Sequence, residues 1–169
     1  MDFKWYEEVA ANDDITQGDI LINFPVVKIN NYGDMVREEV GELNVEIETI
    51  DCIILTQACD IAQSKDGLKN IILCQIIDLN DTDFGANKVL DCIKGQRPQF
   101  HVLNKCPEYI DEFNSNGFNY HLVNFNEIET VPIKAVREFI KVKEKRIRLL
   151  PPYREHLSQA FAKYFMRIG

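Results

Sequence analysis

The run IDCIILTQACDIA, from Ile50 to Ala62, decides how this chain is built. Ile53, Ile54 and Leu55 lead directly into a compact polar cluster of Thr56, Gln57, Cys59 and Asp60. A buried strand that emerges at a sheet edge delivers polar groups in this way, so the cluster is the first place to look for chemistry. Upstream, Val45, Ile47 and Thr49 alternate with Glu46 and Glu48, the period-two pattern of a half-buried strand. From Asp51 onward apolar side chains fall on both parities, which carries the strand from the rim into the middle of a sheet.

The next apolar stretch, LKNIILCQIIDL from Leu68 to Leu79, is a second strand rich in Ile. The short connection from Asp60 to Gly67 suits antiparallel pairing with the first. These two strands form the expected hydrophobic centre. Before them, residues 2–10 carry Phe3, Trp5 and Tyr6, as a first helical turn or as a strand packed like a flap. Gln17-Gly18-Asp19 then places a turn before Ile20-Leu21-Ile22, a first core strand that ends at Pro25 and extends over Val26–Ile29 across a bend. Asn30–Gly33 reads as a turn, and Asp34–Glu42 as an acidic, exposed segment.

Downstream, Asp83 to Gly95 fits a short helix with Phe84, Val89, Leu90 and Ile93 inward and Gly95 as its stop. Gln99–Leu103 reads as a strand and Cys106–Gly117 as a polar loop. Tyr120–Phe125 and Ile128–Ile133 read as two strands joined at Asn126-Glu127 as a hairpin. After Pro151-Pro152, the residues Leu157, Ala160, Phe161, Tyr164, Phe165 and Ile168 recur at spacings of three and four. This predicts an amphipathic helix over 151–168 whose aromatic stripe packs on the core, the alternative being a face offered to a partner or to a second copy in a homodimer.

A chain of 169 residues fits one domain, spanning 1–169, with the sheet over about 15–149. No apolar run comes near the ~18 residues of a membrane span, so no membrane association is expected. The N-terminal stretch lacks the basic start and apolar run of a signal peptide, which predicts a cytoplasmic protein. The five cysteines are odd in number and contain no CxxC pair, so neither a disulfide framework nor a zinc ribbon is signalled. A zinc site gathered from Cys59, Cys106, His101 and His121 lacks any local ligand pair. The expectation is therefore no metal and no cofactor.

Charge is unevenly distributed. Residues 134–169 hold ten Lys or Arg and three Glu, a net +7, which leaves −15 on residues 1–133. Basic side chains of the C-terminal part either pair with the acidic body or form a patch for phosphates, since local potential steers a polyanion. If 141–149 is extended, Lys141, Lys143 and Lys145 share one edge, a geometry that suits a phosphate chain, an acidic partner strand or plain protection against aggregation. Arg146 and Arg148 join them as candidates for binding a partner or nucleic acid, and Arg97 stands as a candidate for a groove rim.

QGDIL in the first strand, IILTQ in the long apolar strand and NIILCQII beside it resemble the opening half of PemK/MazF-type barrels, over roughly residues 17–79. The TQACDI segment with the terminal RLLPPYREHLSQAFAKYFMRIG also resembles a group of bacterial proteins of mobile-element or defence settings, in which a barrel carries a C-terminal helix. The resemblance implies a small SH3-like barrel and a toxin-antitoxin or phage-defence setting. In MazF-type toxins an arginine soon after the GDI strand and a Ser or Thr at the end of the next strand assist RNA cleavage. Thr56 matches the second; the arginine is missing, since Arg37 alone lies between Ile20 and Thr56 and Arg97-Pro98 stands elsewhere.

Phosphodiester cleavage needs a base and a cation for the developing charge, and neither is evident beside Thr56. Cys59 with Asp60 as orienting acid and His101 or His121 as base would make a thiol nucleophile. The simpler reading is that Gln57 and Asp60 satisfy turn backbone groups while Cys59 packs. The sequence thus predicts an α+β, β-rich fold: an SH3-like, PemK/MazF-like barrel with an inserted short helix and a C-terminal amphipathic helix. The expected function is a non-catalytic or degenerate binding module that recognises a protein or RNA partner. The alternative is an enzyme, a divergent endoribonuclease or a cysteine-dependent hydrolase acting through Cys59, with Thr56, Gln57, Asp60 and His101 around it.

Overall fold

The structure, a computed structural model, describes residues 3–30, 33, 37, 45–63, 67–105 and 120–166. The expectations placed on Asn30–Gly33, Asp34–Glu42, Cys106–Gly117 and Ile168 fall largely outside these. In chain order the elements are β1 (Tyr6–Ala10), β2 (Asp19–Ile29), β3 (Val45–Ile54), α1 (Ala58–Ala62), β4 (Asn70–Asp78), a 3-10 turn (Leu79–Asp81), α2 (Ala86–Ile93), β5 (Phe100–Leu103), β6 (His121–Pro132), α3 (Ile133–Lys143), β7 (Lys145–Leu149) and α4 (Tyr153–Phe165). The strands form one antiparallel sheet in the order β1-β7-β2-β3-β4-β6-β5.

Because successive strand residues point to opposite faces, the paired apolar residues at the centre build two cores at once. Ile20, Ile53, Cys74, Ile76, Val123 and Ile147 lie on one face with Leu157 of α4. Leu21, Cys52, Ile54, Leu73 and Ile71 lie on the other with Ile61 of α1 and Ile133, Val136 and Ile140 of α3. The expected neighbours β3 and β4 do pair antiparallel, with Cys52 opposite Gln75, Ile53 opposite Cys74 and Ile54 opposite Leu73.

The two-sided core also corrects the expected closed barrel. A small barrel has one interior, so one parity of each strand faces in and the other faces water. Here both parities are apolar and each face is covered by a helix. Among the described residues the sheet accordingly stays open, with β1 and β5 at its two edges.

Four local expectations change as well. Tyr120–Phe125 and Ile128–Ile133 are not a hairpin but one strand, β6, which runs through Asn126 and Glu127 along β4 with an irregularity in register between Cys74 and Ile76. Asn126-Glu127 lacks a glycine to take the positive φ that a two-residue turn demands. Residues 141–149 are not a continuous cationic edge, because Ile133, Val136 and Ile140 recur at helical spacing and draw Lys141 and Lys143 into α3. Val45 to Thr49 is not half-buried: Val45 is 51 % and Ile47 72 % exposed, since this part of β3 pairs with β2 and projects beyond the reach of either helix layer. In α2, Leu90 and Ile93 are exposed while Cys92 is buried, because the helix lies against the edge strand β5 along a narrow line. Gly95, at φ +69°, ends that helix as expected.

Candidate functional site

Gly18 organises the entry to β2. At φ +86° it takes a conformation costly for other residues, and a Cβ there would sit 3.1 Å from the Leu149 carbonyl oxygen. Its N–H donates to Ile54 O at 2.9 Å and its carbonyl accepts from Leu149 N–H at 2.9 Å, so the turn is clamped between β3 and β7. Beside it, Gln17 Nε2 donates to Leu55 O and to Ser158 Oγ, both at 2.9 Å, fastening α4 to the end of β3.

That clamp sets Asp19 opposite Arg148 and next to Arg146 on β7. Asp19 is fully buried. It accepts from Arg146 Nε at 2.7 Å, from Arg148 Nε at 2.6 Å and Nη2 at 3.2 Å, and from Thr16 N–H at 3.1 Å. Arg146 donates its other nitrogens to the carbonyls of Ala10, Asp13 and Asp14, and so holds the loop after β1 in place. Burial opposes the charge of Arg148, but the hydrogen bond and field of Asp19, with Glu7 and Asp13 adding to it, raise its pKa nonetheless. Two arginines from the far end of the chain are thus brought to the start of β2, where Asp19 engages both.

The polar cluster divides in two. Thr56 is buried, and its Oγ1 accepts from Ile72 N–H at 2.7 Å, which closes the end of the β3–β4 ladder. Gln57, Cys59 and Asp60 are exposed; Cys59 Sγ lies 3.6 Å from Asp60 Oδ1 and 4.0 Å from Gln57 Oε1. His101 is not brought to them. It stands on the α4 face of the sheet, opposite Val123, whereas α1 packs through Ile61 on the other face. Burial, with the nearby His156, lowers the His101 pKa to about 4. Among the other described cysteines, Cys52, Cys74 and Cys92 are buried, and burial pushes the Cys74 thiol up to about 12. No group of three or more His, Cys, Asp or Glu among the described residues is placed to hold a metal ion. No helix there is long and apolar enough to cross a membrane.

The depression at His101 has a consequence for stability. The unfolded chain takes up this proton near pH 6.5 and the folded one near 4, so stability is full above pH 6.5 and is lost as pH falls through that window. The loss amounts to about 3 kcal/mol at most. Urea denaturation at pH 7 and pH 5 should show a larger drop for the native chain than for His101→Leu; equal drops would contradict the assignment.

What α1 does contribute is a wall. Ala58, Ile61 and Ala62 share one side of this short helix and line a groove of about 1310 Å³, facing α3 and the loop of residues 11–16. Its floor is aliphatic, from Ala11, Ile15, Ile61 and Ile140. The α3 wall carries Lys134, Arg137 and Lys141, at positions i, i+3 and i+7 of one stripe, together with Glu138, while Asp13 and Asp14 stand on the loop wall and Arg148 also lines the groove. Lys141 is paired with Glu138 at 2.7 Å. Lys134 and Arg137 have no ion-pair partner among the described residues.

Of the cations picked out in the sequence, Lys141 and Arg148 therefore reach the groove. Lys145 is paired with Glu8 at 2.7 Å, Arg146 is buried on Asp19, and Lys143 stands over the Phe139 ring. Lys143 and Lys145 line a second cleft of about 180 Å³ where β2 and β7 part, too small for a chain segment. Arg97 lies near the opposite edge of the sheet, 3.5 Å from Asp91. Lys134, Arg137 and Asp19 were missed. The helical spacing of Ile133, Val136 and Ile140 would have found the first two, and an acid at the head of an apolar run the third. The chain matches no protein-family model, and no curated protein resembles it closely enough to count as a relative.

Proposed function

We propose that this chain is a non-catalytic binding module whose groove receives an amphipathic helix of a partner protein, with acidic residues turned toward α3. The polarity of the groove carries this reading. One wall is basic and the other bears Asp13 and Asp14, over an aliphatic floor. A uniformly anionic RNA strand would meet repulsion from the loop wall, and among the described residues the groove lining offers no aromatic ring on which a base could stack. A segment with an apolar stripe and acids on one flank complements all three surfaces. The walls are helices and a loop rather than a strand edge, which favours a helical guest over an added strand.

The enzyme reading finds less support. Thr56 is engaged with the backbone, and Cys59 and His101 stand on opposite sides of the sheet. Kinship with PemK/MazF-type proteins belongs to the same proposal, resting on QGDIL and IILTQ, which lie on the adjacent antiparallel strands β2 and β3. The toxin-antitoxin or phage-defence setting rests on that kinship alone.

A phage-displayed library of amphipathic peptides, selected on the immobilised protein, tests the docking. Acidic helical binders are expected, with affinity at least tenfold weaker for the double variant Lys134→Glu/Arg137→Glu, about 1.4 kcal/mol. Binders indifferent to this reversal, or a single-stranded RNA that binds more tightly and is released steeply by salt, would overturn the protein reading.

A further inference from the structure

We propose that Arg148 is the anchor of the groove, and that it takes one carboxylate of the docked segment through Nη1. The inference rests on the docking reading above and names the chemistry of its contact point.

The two arginines of the buried cluster differ in one respect. Arg146 engages Nε, Nη1 and Nη2 with acceptors of the protein, and its side chain is 2 % exposed. Arg148 engages Nε and Nη2, with Asp19 and the Asp14 carbonyl. Its Nη1 meets no acceptor among the described residues, and the side chain, 17 % exposed, lines the groove. Asp19 is taken up on the other side of the guanidinium: its Oδ1 accepts from Arg148 Nε and its Oδ2 from Arg148 Nη2, Arg146 Nε and the Thr16 N–H.

The guanidinium is planar, and two of its three nitrogens are fixed by short bonds, so the third is held in a set direction before any ligand arrives. A ligand acceptor that meets it orders no long side chain, which is the cost that normally weakens a surface ion pair. Lys134 and Arg137, without acidic partners among the described residues, line the same groove and draw an anion toward it. Asp13 and Asp14 on the loop wall, with Glu7 across the β1–β7 ladder from Arg148, disfavour a doubly charged group. A single NH₂ suits a carboxylate better than a phosphate dianion, which needs several donors at once.

The test uses the native chain and two kinds of probe. Sodium acetate and inorganic phosphate are titrated while the Arg148 side-chain nitrogen resonances are followed by NMR. Acetate should move the Nη1 signal, with weaker or no response to phosphate. In parallel, each Glu of a selected helical peptide is changed to Gln. One such change should weaken binding about tenfold to the native chain and have little effect on Arg148→Lys, the signature of a coupled pair. Peptides that bind but tolerate Gln at every position would overturn the anchor and leave the docking reading standing. Failure to recover any peptide would count against the docking itself, and the acetate titration would still decide whether Arg148 takes a carboxylate. Should Arg148→Lys not fold, the same titration on the native chain decides. A silent Nη1, or phosphate binding more tightly than acetate, overturns the proposal.

Discussion

Asp19→Asn should be the most damaging single change in this protein, with a loss of about 3–5 kcal/mol and a fall in Tm of roughly 6–20 °C. Asp19 is fully buried and sits between Arg146 and Arg148. The amide is nearly the same shape, so packing is kept, but two guanidinium groups lose the negative charge that compensates them. Arg146 is only 2 % exposed, so solvent compensates its charge poorly. The loop after β1 should loosen as well, since Arg146 reaches its carbonyls from the position that Asp19 sets. Replacing Asp19, Arg146 and Arg148 together by Leu, Met and Met should cost less than the single change, because no orphaned charge remains. Thermal and urea denaturation of the two variants measures the difference. A loss under 1 kcal/mol for Asp19→Asn would mean that the buried charges are compensated elsewhere.

The second large effect is expected at Leu157→Ala, with a loss of about 2–5 kcal/mol. Leu157 is fully buried where α4 meets the sheet, in a cluster with Ile53, Val123, Phe125 and Leu149. Truncation leaves a cavity that these strand residues cannot fill without shifting the ladder. Phe165, expected on the buried stripe, is instead 63 % exposed at the end of α4, where it only touches the rings of Phe161 and Tyr164, so Phe165→Ala should cost no more than about 1 kcal/mol. The pair separates a helix that seals one core from one that merely lies on the surface. Similar losses for both would contradict the seating of α4 described above.

The contrast between these two sites shows where the sequence was readable. The role of Leu157 follows from neighbours three and four positions away, and the helix begins just after Pro151-Pro152 as its periodicity predicts. The β3–β4 pairing was likewise legible, because two Ile-rich runs lay a short connection apart. The cluster at Asp19 was not, since its arginines stand 127 and 129 positions away. The stripe Lys134, Arg137 and Lys141 lay between: its spacing was present, but the alternation of Lys141, Lys143 and Lys145 suggested a strand. The apolar stripe of Ile133, Val136 and Ile140 decided in favour of the helix, because burying three large side chains outweighs any preference of exposed lysines.

The sequence by itself determined the strand-rich class, the antiparallel centre, the glycine turn before β2 and the terminal helix, all of which depend on residues close along the chain. The tertiary structure alone decided that the sheet stays open among the described residues, that Asp19 gathers two distant arginines, and that α1, α3 and the loop of residues 11–16 line a polarised groove. Those features depend on the order of strands in the sheet and on which face each helix covers, and many strand orders satisfy one local pattern.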